Sequence, residues 1–459
     1  MTPAFLFAAA VAVAVSPTDS TLWQLPSLAY ENPAVKQWML PRSYSRVGVV
    51  AHYTDMNRPL SDLTGTGERY WGVDARSYMK SGSSTLWGTA HYDNGRQTGQ
   101  RLSETSDMDV IYPYFTVDSV GGELKMEHYS FSGGYASHND RWAWGAQASY
   151  DAGLYYRAVD PRPRNTTGTL NISAGAAYRV FGSYFAALSA GYMKYKQSND
   201  IDFKSQMGVE KIYHYTGMGH HYVRFAGVGY DCDYSGHAWS MTANLYPSSG
   251  HGFTATAHLR RFSFSKILTD LNKLPLTRAV DTRLDAQATY TANVWGCGVD
   301  FDVFRRRGYE NIFGDASSGI YPEIGTFHRF SHTGFDLLAK GAFQQTIGHG
   351  ALLGLQAATG FARNEFVYIS PAKTRRYDAT RVKAEGTFSI PLNKWRVAVA
   401  ANYDGWLPDN GVSKAGARIS VARAINTRMA LKLEGEYART AYWQGVHANT
   451  FDASLSLVF

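Results

Sequence analysis

Apolar and polar residues alternate with a period of two along most of the chain. The last segment shows it most clearly. Phe451, Ala453, Leu455, Leu457 and Phe459 share one face, and Asp452, Ser454 and Ser456 share the other. This is the pattern of a β-strand with one apolar side. Upstream, Met429, Leu431, Leu433, Gly435 and Tyr437 alternate with Arg428, Lys432, Glu434 and Glu436. Trp395, Val397, Val399, Ala401 and Tyr403 alternate with Arg396, Ala398, Ala400 and Asn402, and Val382, Ala384, Gly386, Phe388 and Ile390 with Lys383, Glu385, Thr387 and Ser389. Trp142 to Tyr150 and Val47 to Tyr53 repeat the pattern near the front. In most of these strands the apolar set begins or ends on an aromatic ring and has Ala, Val, Leu or Gly at its centre. Rings at two interfaces and aliphatic groups between them suit a lipid-facing surface. The polar set carries charges that are costly in a dry core and cheap in a wet lumen. The pattern therefore predicts an all-β fold: a transmembrane antiparallel up-and-down β-barrel of about 18 strands, within 16–20. The count stays open because up and down assignments clash between Gln197 and Asp281.

Connection lengths agree with a barrel. Short turns are expected at Ser81–Ser84, Ser137–Asp140, Phe181–Ser183, Pro391–Lys394 and Ala424–Asn426. Long connections are expected at Asp55–Arg69, Asn94–Gly121, Arg305–His332 and Ala362–Asp378. With both termini periplasmic, the short turns are periplasmic and the long loops extracellular.

Composition fits the same picture. The 459 residues include 31 Tyr, 23 Phe, 11 Trp and 44 Gly, the residues of aromatic girdles and relieved strands. Met1 to Val15 is a short apolar run with small residues before Ser16, which reads as an export signal. The expected division is a signal peptide over 1–16, a periplasmic segment over 17–44 and the barrel over 45–459. The net charge of +7 is scattered through alternating strands, without a basic tail or nucleic-acid motif, so no nucleic-acid partner is expected. Of the two cysteines, Cys297 alternates with Trp295 and Val299 and is expected to face lipid.

No Walker loop, H-E-x-x-H, G-x-S-x-G or C-x-x-C motif is present, so neither a catalytic residue nor a cofactor is assigned. His214, His220 and His221 are close enough in sequence to be weighed as metal ligands, against the plainer reading of rim histidines. A lipid-modifying barrel would need a dyad at the membrane face, with His52, His128 and His258 as available bases. Arg305, Arg306 and Arg307 are expected to open a long loop where guanidinium groups meet lipopolysaccharide phosphates. Lys383, Glu385, Arg396, Arg418, Arg428, Lys432, Glu434 and Glu436 are expected to line the lumen. Ile267, Leu268, Leu271 and Leu274 have near-helical spacing, stopped by Pro275, which suggests a short helix or an irregular loop. The terminal Phe459 is expected to act as an assembly signal read by the barrel assembly machinery.

Three segments carry a resemblance: DLNKLPLTR (Asp270–Arg278), RRRGYENIFGD (Arg305–Asp315) and LSLVF (Leu455–Phe459). On these the chain resembles uncharacterised outer-membrane barrel families of Bacteroidota, known as domains of unknown function. The resemblance implies location in the cell outer membrane, contact with its lipid and lipopolysaccharide, and proximity to a TonB-dependent transporter or surface lipoprotein. It implies no activity. The function expected is that of a pore or an accessory subunit of a surface uptake complex. The alternatives are a membrane-embedded enzyme acting on lipid or protein, and a structural anchor.

Overall fold

Strands that alternate in this way can satisfy every backbone group in lipid only by closing on themselves. A computed structural model, describing residues 21–60, 63–102, 104–205, 211–407, 411–442 and 445–459, shows that closure. Eighteen antiparallel strands form one sheet. They are β1 (Tyr44–Met56), β2 (Gly67–Ser81), β3 (Ser84–Gln100), β4 (Gly122–His138), β5 (Trp142–Tyr156), β6 (Arg162–Phe181), β7 (Tyr184–Asp202), β8 (Cys232–Pro247), β9 (Gly252–Leu268), β10 (Leu274–Thr291), β11 (Trp295–Phe313), β12 (Glu323–Ile347), β13 (Ala351–Tyr368), β14 (Lys373–Leu392), β15 (Trp395–Leu407), β16 (Ser413–Ala424), β17 (Ala430–Ala441) and β18 (His447–Val458). Each pairs with the next in sequence, and β1 pairs with β18 in a register running from Arg46 opposite Val458 to Met56 opposite Ala448. Ser45 N–H donates to Phe459 O at 2.7 Å, so the chain's last residue is part of the seam.

The two faces follow the sequence pattern. Val47, Val49, Val399, Leu433, Phe451 and Leu455 are exposed on the outer wall. Lys432 and Ser456, on the alternate positions, are buried on the inner wall. Tight turns join the strands at one end; at Ser81–Ser84, for example, Gly82 takes the left-handed conformation, with φ +58°, that a side chain would resist. Both the start of β1 and the end of β18 lie at this short-turn end.

Three expectations need correction. The leucines between Phe262 and Val280 form no helix. β9 runs on to Leu268, and Asn272 and Lys273, both at positive φ, close a tight hairpin into β10. Their near-helical spacing arises where two strand ends and a turn abut. Arg305–Arg307 do not open a loop, because β11 continues to Phe313 and β12 starts at Glu323. Likewise β13 reaches Tyr368 and β14 resumes at Lys373, so much of the expected loop 362–378 is strand. The proposed export signal over 1–16 lies outside the described residues. The segment after it, from Thr21, folds inside the barrel wall as a 3-10 turn (Ser27–Glu31) and one helical turn, Pro33–Lys36, capped by the Asn32 side chain.

Candidate functional site: a lumen filled from both ends

The inner wall is polar, so whatever enters it must offer hydrogen bonds. At the short-turn end the N-terminal segment does so strand by strand. Thr21 N–H donates to Gln344 Oε1 at 3.0 Å, Leu28 N–H to Gln287 Oε1 at 3.2 Å, and Asn32 Nδ2 to Asn244 Oδ1 at 2.9 Å. Further along, Lys36 Nζ reaches Gln147 Oε1 at 3.3 Å and Tyr78 Oη donates to Gln37 O at 2.6 Å. Trp38 packs on Phe185 and Tyr246. The segment thus follows the inner wall from β12 and β13 round to β2 before entering β1.

Two connections fill the other end. Residues 104–121 carry a helical turn (Met108–Ile111) and a two-residue strand (Thr116–Val117) that pairs with Tyr213–Gly217 from residues 211–231. Together with inward residues of β7 to β11 they form an apolar core that includes Ile111, Tyr114, Phe115, Phe225, Tyr234, Phe262, Phe264 and Phe313. Polar contacts fasten this stopper to the wall. Arg306 Nη1 donates to Asp109 O and Tyr112 O at 3.0 and 3.1 Å, while its other nitrogens hold Asp281. Lys266 Nζ donates to Thr116 Oγ1 at 3.0 Å, and Asn165 and Asn199 each donate to Glu104 O at 2.8 Å. Lys373 Nζ donates to Met218 O at 2.6 Å on the far side.

The tightest fastening is a buried trio. Arg157, just past β5, places Nη2 2.7 Å from Glu104 Oε1 and 2.5 Å from Asp118 Oδ2, with all three side chains almost fully excluded from solvent. Its Nε also donates to Pro161 O at 2.9 Å. Burial, reinforced by the adjoining Asp118 carboxyl, pushes Glu104 up to about 10. Glu104 therefore keeps its proton at neutral pH, beside the contact of Arg157 with Asp118.

Between the fillings the wall is lined with paired charge. Arg381 lies 3.3 Å from Asp336 and 3.2 Å from Asp404, Lys383 lies 3.3 Å from Asp404, Arg418 3.3 Å from Glu385, and Lys432 2.7 Å from Glu434. Arg396 donates to Ser389 Oγ at 2.9 Å, and Glu436 sits on the same inner face of β17, opposite Arg418. Arg428 is placed elsewhere: it lies exposed in the turn between β16 and β17, because β17 begins only at Ala430. A polar cavity of about 520 Å³ lies against Glu31, Lys36, Gln147, His258 and Arg260, and one of about 420 Å³ against Gln24, Lys340, Lys383, Glu385 and Asp404.

Residues 33–459 match a family described as one of unknown function, DUF6850. The chain belongs to that family. Among curated proteins none matches the sequence. The DUF6850 barrel is similar in architecture to solved outer-membrane structures. One is a mutant of the ferric enterobactin receptor of Pseudomonas aeruginosa, at 10% identity and TM-score 0.39, over 91% of this chain and 80% of that one. Another is the ferric preacinetobactin receptor of Acinetobacter baumannii, at 9% identity and TM-score 0.38, over 91% and 80%. A third is the toluene transporter TodX of P. putida, at 9% identity and TM-score 0.34, over 94% and 93%. At this distance the likeness is one of barrel architecture.

The histidines weighed from sequence do not converge in the DUF6850 barrel. His214 is buried in the stopper with Nε2 3.1 Å from Val228 O, and burial, with Lys266 nearby, holds its imidazole well below the ordinary value. His220 stacks on Tyr368 and His221 meets Tyr213 edge-on. His52, His128 and His258 all point inward, where His52 Nδ1 donates to Asp452 at 2.6 Å and His258 contacts Thr242. None of the three stands at the lipid face. Among the described residues, the group whose geometry can hold a metal is a different one: His91, Asp93 and His128, with ligand atoms within 4.8 Å of one another. His91 Nε2 is 2.6 Å from Asp93 Oδ2, and His128 Nδ1 is 3.8 Å from the same oxygen. Two imidazoles and a carboxylate suit a divalent transition metal. The signal in sequence was His91-x-Asp93, whose spacing puts both on one face of β3, with His128 opposite Asp93 on β4.

Proposed function

We propose that the DUF6850 barrel is an outer-membrane pore held shut at rest, working alone or as the closed subunit of a surface uptake complex. The observation that carries this is the stopper of residues 104–121 and 211–231, fastened inside a wall lined elsewhere by polar side chains and paired charges. A structural anchor gains nothing from a wet, charged lumen, whereas a gated channel needs both the polar wall and a removable obstruction. In this reading the short-turn end is periplasmic and the loop end extracellular, residues 1–16 direct export, and Phe459 is read by the barrel assembly machinery. A TonB-dependent transporter or surface lipoprotein would be the partner that displaces a filling.

The test is conductance in a planar bilayer, for the intact protein and for Arg157→Ala. The expected result is rare, small openings in the first and frequent, larger ones in the second. A large steady conductance of the unaltered protein would show a permanently open pore. Silence in both, even with residues 104–118 replaced by a short glycine-serine link, would identify a structural barrel.

A further inference from the structure

The outer wall carries a basic patch that the lumen does not explain. β11 presents Trp295, Cys297, Val299, Phe301 and Val303 outward, and the next outward residues are Arg305 and Arg307. Ten residues of tilted strand put Arg305 about 25 Å from Trp295, the height of the apolar belt of such barrels. Neighbouring strands change character at the same level: Leu259 is followed outward by Arg261 on β9, and Phe361 by Arg363 on β13. With Arg278 of β10 these side chains surround an outer groove of about 890 Å³, whose floor includes Val303, Phe335 and Leu284.

Charge pairing separates this patch from the inner wall. Arg306, the inward member of its triplet, holds Asp281 at 2.8 Å, as most inner-wall cations hold a carboxylate. Arg261, Arg278, Arg305 and Arg307 have no acidic partner among the described residues, and Arg307 Nε is buried without any hydrogen-bond acceptor. Arg363 is paired with Asp378 at 2.7 Å and closes one side. Guanidinium groups at a lipid boundary, with apolar surface directly below them, are costly unless an anion meets them.

We propose that this groove binds the headgroup of a lipid bearing two phosphates on a saccharide, as in the lipid A of the outer leaflet, with its acyl chains on the Val303–Phe335 floor. The inference rests on the outer-membrane location proposed above. Two phosphates are argued from width. Arg261 and Arg363 lie four strands apart, so the patch is roughly 19 Å across, and one phosphate can engage only two or three of its guanidinium groups. The run Arg305–Arg307 thus divides by strand parity: Arg305 and Arg307 serve the lipid, while Arg306 serves the stopper.

Native mass spectrometry of the full-length barrel in detergent tests this, with bisphosphorylated lipid A, the same lipid without its phosphates, and phosphatidylglycerol as probes. Bisphosphorylated lipid A should stay bound, and the double variant Arg305→Gln/Arg307→Gln should weaken it by ~10-fold or more, as loss of two charge-assisted contacts implies. Arg306→Gln should bind as the unaltered protein does. Equal binding of the dephosphorylated lipid or of phosphatidylglycerol would overturn the proposal, as would undiminished binding by the double variant. Full displacement by millimolar inorganic phosphate would overturn it too, by showing a free-anion site. Heat-modifiable mobility of each variant reports folding, and density-gradient fractionation reports location separately from binding.

Discussion

Removing Arg157 should free the stopper from the loop end. The guanidinium is the most buried of the links between residues 104–121 and the barrel, and in Arg157→Ala two buried acids lose their donor. Removing one partner of a buried charged pair costs about 3–5 kcal/mol, because the remaining charge is left without compensation. If that cost falls on docking rather than on the barrel, the undocked population rises by roughly 10²- to nearly 10⁴-fold. The protein carries its own reporter. Cys232 is 1% exposed, with Sγ 3.4 Å from Thr116 Oγ1 of the stopper and 3.4 Å from Asn199. In a Cys297→Ser background, labelling of Cys232 by a water-soluble maleimide should be very slow with Arg157 present and faster by that factor without it. Adding Asp118→Asn to Arg157→Met should recover much of the protection, since it removes the stranded charge. A Cys232 labelling rate that Arg157→Ala leaves unchanged within threefold would refute the latch.

The remaining predictions concern pH, the lipid face and assembly. The folded state raises Glu104 to about 10, so its contribution to docking is complete below its ordinary carboxylate range and is lost as pH climbs toward that value. Cys232 labelling, normalised to a free thiol, should therefore rise between neutrality and pH 10, and Glu104→Gln should flatten the profile. Val399 is exposed on β15 about 10 Å from the turn, near mid-membrane, so Val399→Arg should cost about 2–4 kcal/mol in urea unfolding from vesicles. Asn402→Arg, on the inner face opposite Glu385, should cost much less; Ala400 is a poorer control because it is only 5% exposed. Deleting Phe459 should lower the heat-modifiable protein recovered in outer-membrane fractions, since its backbone bonds Ser45 across the seam.

Most of the wall was legible because lipid on one side and water on the other impose a period of two that no local accident imitates. Met429 to Tyr437 and Phe451 to Phe459 needed nothing else. The fillings were not legible. Residues 104–121 and 211–231 pack against parts of the wall distant in sequence, so nothing periodic marks Tyr114 or Phe225 as buried. The strands also outlast the membrane. Above the apolar belt the outward positions of β11 turn basic, and Arg305–Arg307 then look like the start of a loop although the ladder continues. The His91, Asp93 and His128 group needed the register of β3 against β4, which a single sequence does not fix.

The pairing of β1 with β18 sets the order in which the chain can be built. His52 and Asp452 touch across that seam at a separation of 400 residues, whereas every other backbone ladder of the wall joins strands consecutive in the chain. Closing so long a loop instead of a hairpin of about 20 residues costs only about 3 kcal/mol in chain entropy, far less than a full ladder of backbone bonds returns. The difficulty is kinetic: until the last strand exists, the sheet has two bare edges and no interior. The N-terminal filling is continuous with β1, so the strand that closes the ring also carries that filling. A chain cut before β18 is therefore expected to leave the edges of β1 and β17 bare, which loss of heat-modifiable mobility would report.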